Sequence, residues 1–174
     1  LRVCPKIHLE KCLNLGIVGV MASQIQKKLN IGCGVDIRKG WINIDSAVLP
    51  GVDIVHDIEK LPLPFAEEEF DEILCQDALE HVEYIPVLKD LHRILKTGSA
   101  LSIRVPHFTS RNNYIDPTHK KRFSLNTFDF FVKNSLTKNK HLERERAYYF
   151  DFAFDHIAKR RITFEKGSWI FFFN

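Results

Sequence analysis

The stretch LNIGCGVDIRKGWINID, residues 29–45, constrains the fold of this chain more than any other. An apolar run ends in Gly-Cys-Gly, and an acid closes the next apolar run only eleven positions after Gly34. A run of that kind reads as a buried strand, and glycines directly behind it let bare backbone approach a ligand. An acid at the end of the following strand can accept two hydrogen bonds from a sugar diol.

The same pattern repeats downstream. Strands are expected over Lys28 to Cys33, Trp41 to Asp45, Val52 to His56 and Phe70 to Cys75, with Gly51, Pro62 and Pro64 marking the gaps. Ile85, Leu88, Leu91 and Leu95 recur at helical spacing, with Gly98 placed to end that helix. A fifth strand follows over Ala100 to Val105. Strands joined by helical or loop crossovers imply a mostly parallel sheet and an α/β fold, whose ligands sit outside the carboxyl ends of the strands. Gly32 to Gly34, Asp45, Asp57, Gln76, Asp77 and His107 all collect at that edge. A chain of 174 residues is long enough for one such domain.

Beyond Pro106 the composition changes. Twelve of the fourteen Phe lie after residue 107, and DPTHKKRFS precedes an expected helix over Leu125 to Lys133. Ala147 to Phe154 and Arg161 to Glu165 read as further strands, and the apolar WIFFFN points to an incomplete strand pair. Residues 1–20 are read as an extension upstream of a natural start at Met21, since Arg2, Lys6 and Lys11 before a short apolar run only imitate a signal peptide. That run is too short to span a bilayer. Residues 21–174 then form one domain, with 21–106 as its ligand-binding core and 107–174 as an insert with the last strands.

The ligand can be narrowed by what the turn lacks. A dinucleotide site wants a third glycine three positions on and an acid about twenty residues later; here Gly40 and Asp45 stand at other spacings. No Gly-Lys-Ser/Thr follows, which removes the phosphate loop of nucleotide hydrolases. An amino acid joined to a nucleoside fits better, because it needs a turn and a ribose-binding acid but no phosphate grip. Charge is uneven: residues 45–90 carry 13 acids against 2 bases, net −11, and residues 91–174 carry 16 bases against 7 acids, net +9, which suits either a neutral or cationic ligand on one half and an anionic one on the other, or two solvated faces that partly neutralise each other.

LNIGCG, INID, HDIEKLPLPFAEEEFDEILCQDALEHV and LHRILKTG together resemble the class I S-adenosylmethionine-dependent methyltransferases, in particular the type 11 methyltransferase domains. The resemblance runs from about Lys28 to Val105. It implies a Rossmann-like three-layer α/β sandwich with S-adenosyl-L-methionine as cofactor. It implies that Gly32, Cys33 and Gly34 lie beside the methionine part, Asp45 holds the ribose, Asp57 and Ile58 border the adenine, and Gln76 is near the amino group. DPTHKKRFS followed by TFDFF resembles a region found with the same short glycine loop. Two departures stand out: Asn30 replaces the usual acid two residues before the first glycine, and Lys96-Thr97-Gly98-Ser99 replaces a Lys-Pro-Gly-Gly sequence.

Methyl transfer from a sulfonium is a direct displacement, so alignment supplies ~7–11 kcal/mol and a general base adds roughly 10² to 10⁴ in rate. His107, His81 and His119 are the candidate bases, with Asp116 as a partner for His119. No metal site is expected, because Asp116, His119 and His107 match no zinc spacing and Cys4, Cys12, Cys33 and Cys75 form no pairs. The cysteines read as reduced thiols of a cytoplasmic protein. The acceptor is expected to be a small molecule, lipid or glycan. Lys120 to Arg122 and Lys159 to Arg161 are short for an RNA surface, and no Asn/Asp-Pro-Pro-aromatic sequence follows the fourth strand. The other class of reading is a non-catalytic cofactor-binding or interaction module on the same fold.

Overall fold

The computed structural model describes residues 26–133 and 149–159. Five strands build one sheet: β1 (Lys28–Ile31), β2 (Ile42–Asp45), β3 (Ile54–Val55), β4 (Phe70–Gln76) and β5 (Leu95–Arg104). All neighbours are parallel, in the order β3-β2-β1-β4-β5. The order reverses beside β1, so the topological switch point, where such sheets take their ligands, falls at the carboxyl ends of β1 and β4. The α/β class and the parallel sheet are as the alternating apolar runs imply.

The strands owe their place to apolar side chains on both faces. Leu29, Ile31, Ile44, Ile73, Cys75 and Leu101 are all but inaccessible to solvent. Helix α1 (Tyr84–Ile94) connects β4 to β5 and buries Val87, Leu88, Leu91 and Ile94, the i, i+1, i+4, i+7 stripe of an amphipathic helix. Pro86 lies in its first turn, where the missing N–H has no partner to lose. Asp90 on its buried side accepts from Leu63 N at 2.8 Å and from Arg93 Nε at 2.6 Å, which clamps the loop before β4 onto the helix.

Several sequence expectations shift. Gly98 does not end α1: Leu95 already pairs with Phe70, and the next pair is Glu72 with Ala100, so residues 96–99 bulge out of β5 with Gly98 among them. Thr97 and Lys96 tie that bulge to Glu68 and Asp71. The helix expected over Leu125 to Lys133 is a short 3₁₀ turn, Thr127–Phe131, because Thr127 Oγ1 accepts from Ser124 N at 2.8 Å and fixes a local turn instead. Of the strand expected over Ala147 to Phe154, the described part contributes one bridge, Phe154 to Val132. Arg161 to Glu165, the terminal WIFFFN, Cys4, Cys12 and residues 1–25 lie outside the described residues.

The Phe-rich region packs as core. Phe123 and Phe128 stack with centroids 5.5 Å apart and Tyr84 meets Phe123 edge-on at 5.1 Å, joining this region to α1. Phe131, Phe152 and Phe154 are buried with them.

Candidate functional site

The glycine turn leaves β1 under tight control. Gly32 and Gly34 have φ of +61° and +49°, the left-handed region that side chains avoid. A Cβ on Gly32 would lie 2.6 Å from the Cβ of Ala78, so the segment after β4 rests directly on this glycine. A Cβ on Gly34 would meet nothing within 4 Å. Cys33 N donates to Ile44 O at 3.1 Å and Asp36 N donates back to Cys33 O at 2.8 Å, which closes the turn. Val35, next to Gly34, is 91% exposed, an apolar side chain left uncovered beside the turn.

Asp45 ends β2 and binds the turn. Its Oδ2 accepts from Gly34 N at 2.8 Å and its Oδ1 from Ala47 N at 2.9 Å. Each oxygen keeps a second lone pair. Asp57, after β3, accepts from Glu59 N at 3.0 Å in an Asx turn, and the neighbouring Ile58 is buried. Gln76 ends β4, where its Oε1 accepts from Arg38 Nη2 at 3.4 Å. The cofactor candidates named from sequence therefore share the carboxyl edge of β1 to β4.

Asn30 and Asn43 explain how ten residues replace a crossover helix between β1 and β2. They are register partners, and Asn30 Nδ2 donates to Asn43 Oδ1 at 3.1 Å and to Asp36 O at 2.7 Å. Asn43 Oδ1 also accepts from Arg38 N, and its Nδ2 donates to Arg38 O, Trp41 O and Asp53 Oδ2. The loop is thus stitched to the strands by buried amides. Sequence reasoning missed Asn43 and Asp53. The available signal was an asparagine in the middle of each of two apolar runs, LNI and INI.

Asp36, Asp45 and Asp53 act on this turn electrostatically, and Arg38 pairs with Asp36 at 2.9 Å. Burial, then the charges of Asp45, Asp53 and Asp36, push the Cys33 thiol above its usual range. Burial pushes Cys75 up as well, so Cys33 and Cys75, the free cysteines among the described residues, are thiols at neutral pH.

After Gln76 the chain turns at Asp77, a non-glycine residue with φ of +51°. It is held there by its N–H to Arg104 O at 2.8 Å and by a carboxylate that accepts from Arg104 Nε at 2.9 Å. Local strain of this kind concentrates where a fold places functional side chains. Beyond it, Glu80, His81 and His119 converge: one donor atom from each lies within 4.8 Å of the others. The two imidazoles meet edge-on with centroids 4.7 Å apart. Burial, reinforced by the charge of Asp77, raises the Glu80 carboxyl to about 7. Asp116 is held below the usual carboxylate range by the hydroxyl and N–H of Thr118. His107 stands apart from this group, with Nδ1 2.8 Å from Thr109 Oγ1 and its backbone bridged to Phe123. Tyr114 is 69% exposed, with the Arg122 guanidinium over its ring. A cavity of about 840 Å³ lies at the amino end of β5 instead, between His92, Lys96 and Phe154, and contains none of these residues.

A family model described as methyltransferase domain matches residues 13–103. An uncharacterized protein of Methanocaldococcus jannaschii is 32% identical over 85 residues, 44% of this chain and 38% of that protein. Among solved structures, a SAM dependent methyltransferase from Archaeoglobus fulgidus superposes with a TM-score of 0.51 at 25% identity, over 62% of this chain and 58% of that one. The chain spans less than two thirds of either relative's length.

Proposed function

The chain belongs to the methyltransferase-domain family, and from that premise we propose that it transfers a methyl group from S-adenosyl-L-methionine to a small-molecule, lipid or glycan acceptor by direct displacement. Residues 21–106 are its cofactor-binding core, and 107–174 supply the acceptor side. The observation that carries the reading is the open turn at Gly34, whose N–H donates to the strand-end carboxylate of Asp45 at 2.8 Å. A short turn followed by an acid able to hold a ribose, with no phosphate grip, suits an amino-acid nucleoside better than a dinucleotide.

When bound, S-adenosyl-L-methionine supplies a methyl group on a positively charged sulfur that leaves as a neutral thioether. Gly32, Cys33 and Gly34 shape the turn that receives the methionine end. Asp45, fixed by two backbone N–H groups, offers its remaining lone pairs to ribose hydroxyls. Asp57 and Ile58 border the base, and Gln76 faces the amino group. His81, His107 and His119 are the candidate bases on the acceptor side. The free thiols Cys33 and Cys75 suit a reducing compartment, and the cytoplasm is the assignment we make. Among the described residues no helix is long and apolar enough to cross a membrane.

Nucleic acid is a poor acceptor for this surface. Lys120 and Lys121 pair with Glu59 and Glu83 at 3.3 and 2.7 Å, and Arg122 covers Tyr114, so the basic run meets partners within the chain. A second reading, a non-catalytic module, draws on one observation: both Asp45 oxygens already serve the backbone.

Calorimetric titration of the chain with S-adenosylmethionine and S-adenosylhomocysteine tests the cofactor site on which the enzyme reading depends. Binding of both, lost in Asp45→Ala and not reproduced by NAD, is the expected result. Absence of binding to either in the folded chain overturns the enzyme reading and leaves the module.

A further inference from the structure

The cluster of Glu80, His81 and His119 is more than a set of nearby polar groups, because its free and occupied atoms are sorted. Glu80 Oε2 and His119 Nδ1 are buried with no hydrogen-bond partner. Glu80 is 1% exposed and the His119 side chain 7%. Buried polar atoms are almost always paired, so two orphans on residues of one cluster mark a place built for something else.

The opposite ring atoms are occupied. The Thr118 hydroxyl donates to Asp116 Oδ1 at 2.5 Å. Having one proton, it can only accept from His81 Nδ1, which lies 2.8 Å away. His81 is thereby held as the tautomer with a bare Nε2. His119 Nε2 faces the other oxygen of Asp116 at 3.6 Å, which favours a proton on that nitrogen and leaves Nδ1 bare. A ligating imidazole is usually oriented in this way, by a carboxylate or hydroxyl on its far nitrogen. Lys120 N and Lys121 N donate to Glu80 O at 2.7 and 3.0 Å, so the loop with His119 is fastened to the turn with Glu80 and His81.

We propose that Glu80, His81 and His119 bind one divalent transition-metal cation of the zinc type. Two imidazoles and a carboxylate suit such a cation and suit magnesium or calcium poorly. Three protein ligands leave a fourth position for water or for an oxygen of the acceptor. Zinc bonds of ~2.0–2.1 Å put tetrahedral donors roughly 3.3 Å apart, so the donors draw together by on the order of 1 Å when the cation enters. The sequence spacing gave no sign of this, because Glu80 and His81 are adjacent and His119 arrives on a separate loop. The inference stands whether or not the chain transfers methyl groups.

The test is calorimetric titration of the chelator-stripped chain with Zn²⁺, paralleled by Co²⁺ followed through its visible absorption. One equivalent should bind, and magnesium should not compete. Glu80→Gln and His119→Gln should each weaken binding at least tenfold, and Asp116→Asn roughly 10- to 100-fold through the imidazole it orients. His156→Gln, which removes a histidine outside the cluster, should leave the stoichiometry unchanged. Circular dichroism confirms folding of each variant, and Glu80→Gln, nearly identical in shape, decides the matter if a histidine variant fails to fold. No stoichiometric Zn²⁺ binding, or binding unaffected by Glu80→Gln and Asp116→Asn, overturns the proposal.

Discussion

Around Asn30 and Asn43, buried amides are spent on strand partners, loop carbonyls and Asp53, whereas around Glu80, Asn113 and His119 three buried polar atoms have no partner. Among the described residues only Arg38 Nε breaks this division. The two regions use buried polar groups differently. The first uses polar groups to hold a backbone in place. The second leaves them unsatisfied, at a cost of about 1–3 kcal/mol for each orphan. A difference this sharp separates scaffold from reactive surface: substitutions in the first should cost stability, and those in the second should change binding and pH response.

Gly32→Ala should show the largest loss. The left-handed backbone costs an alanine about 1–2 kcal/mol, and the overlap with Ala78 adds about 1–3 kcal/mol because no flexible side-chain end can yield. Urea denaturation should read a destabilisation of about 2–5 kcal/mol. A change below about 1 kcal/mol would mean that the segment after β4 does not rest on the turn.

Glu80 should impose the next effect, and only with pH. Its carboxyl holds a proton up to about 7 in the folded chain against an ordinary 4.5. Between those values the folded protein binds more protons than the unfolded one, so stability is greatest below 4.5 and declines as pH rises to about 7. The decline attributable to this group is roughly 3 kcal/mol. Denaturation curves in chelator should show it in the native chain and not in Glu80→Gln. Equal slopes in both would remove Glu80 from the strained side of the comparison.

Asn43→Ala tests the satisfied side. It removes one of the two acceptors of Asn30 Nδ2 and releases Arg38 and Trp41 from the strand, for an expected loss of about 2 kcal/mol. Its pH dependence should match that of the native chain. An Asn43→Ala protein as stable as the native one would show the loop to be held by other means.

The sheet was legible in the sequence because buried parallel strands are short apolar runs, and LNI, INI and EILC could hardly be anything else in that order. The glycine turn and the acid at the end of β2 were legible for the same reason: spacing along a strand fixes which end a residue occupies. Gly98 misled because a glycine after a helical run ends a helix or opens a bulge with equal ease, and only the pairing of Leu95 with Phe70 decides. The convergence of Glu80 with His119 was not legible at all. It depends on Lys120 and Lys121 reaching back to Glu80 O, a contact between loops that carries no period.

Gly34→Ala carries the smallest expected cost and discriminates best. Its φ is +49°, so an alanine there loses about 1 kcal/mol to backbone strain, yet the added methyl group meets nothing of the protein itself within 4 Å. The contrast with Gly32 is therefore between a glycine required by the protein and one that leaves space for something else. If a ligand occupies that space, the variant should remain folded, with a slightly lower denaturation midpoint, and lose S-adenosylmethionine affinity at least tenfold. If affinity is retained, Gly34 serves only the conformation of the turn and its hydrogen bond to Asp45. The ligand would then rest on Asp45, Asp57 and Gln76 without the backbone of the turn. Measured beside Asn43→Ala, which should lose more stability and less affinity, Gly34→Ala shows whether the satisfied edge is scaffold throughout or opens to a ligand at this one residue.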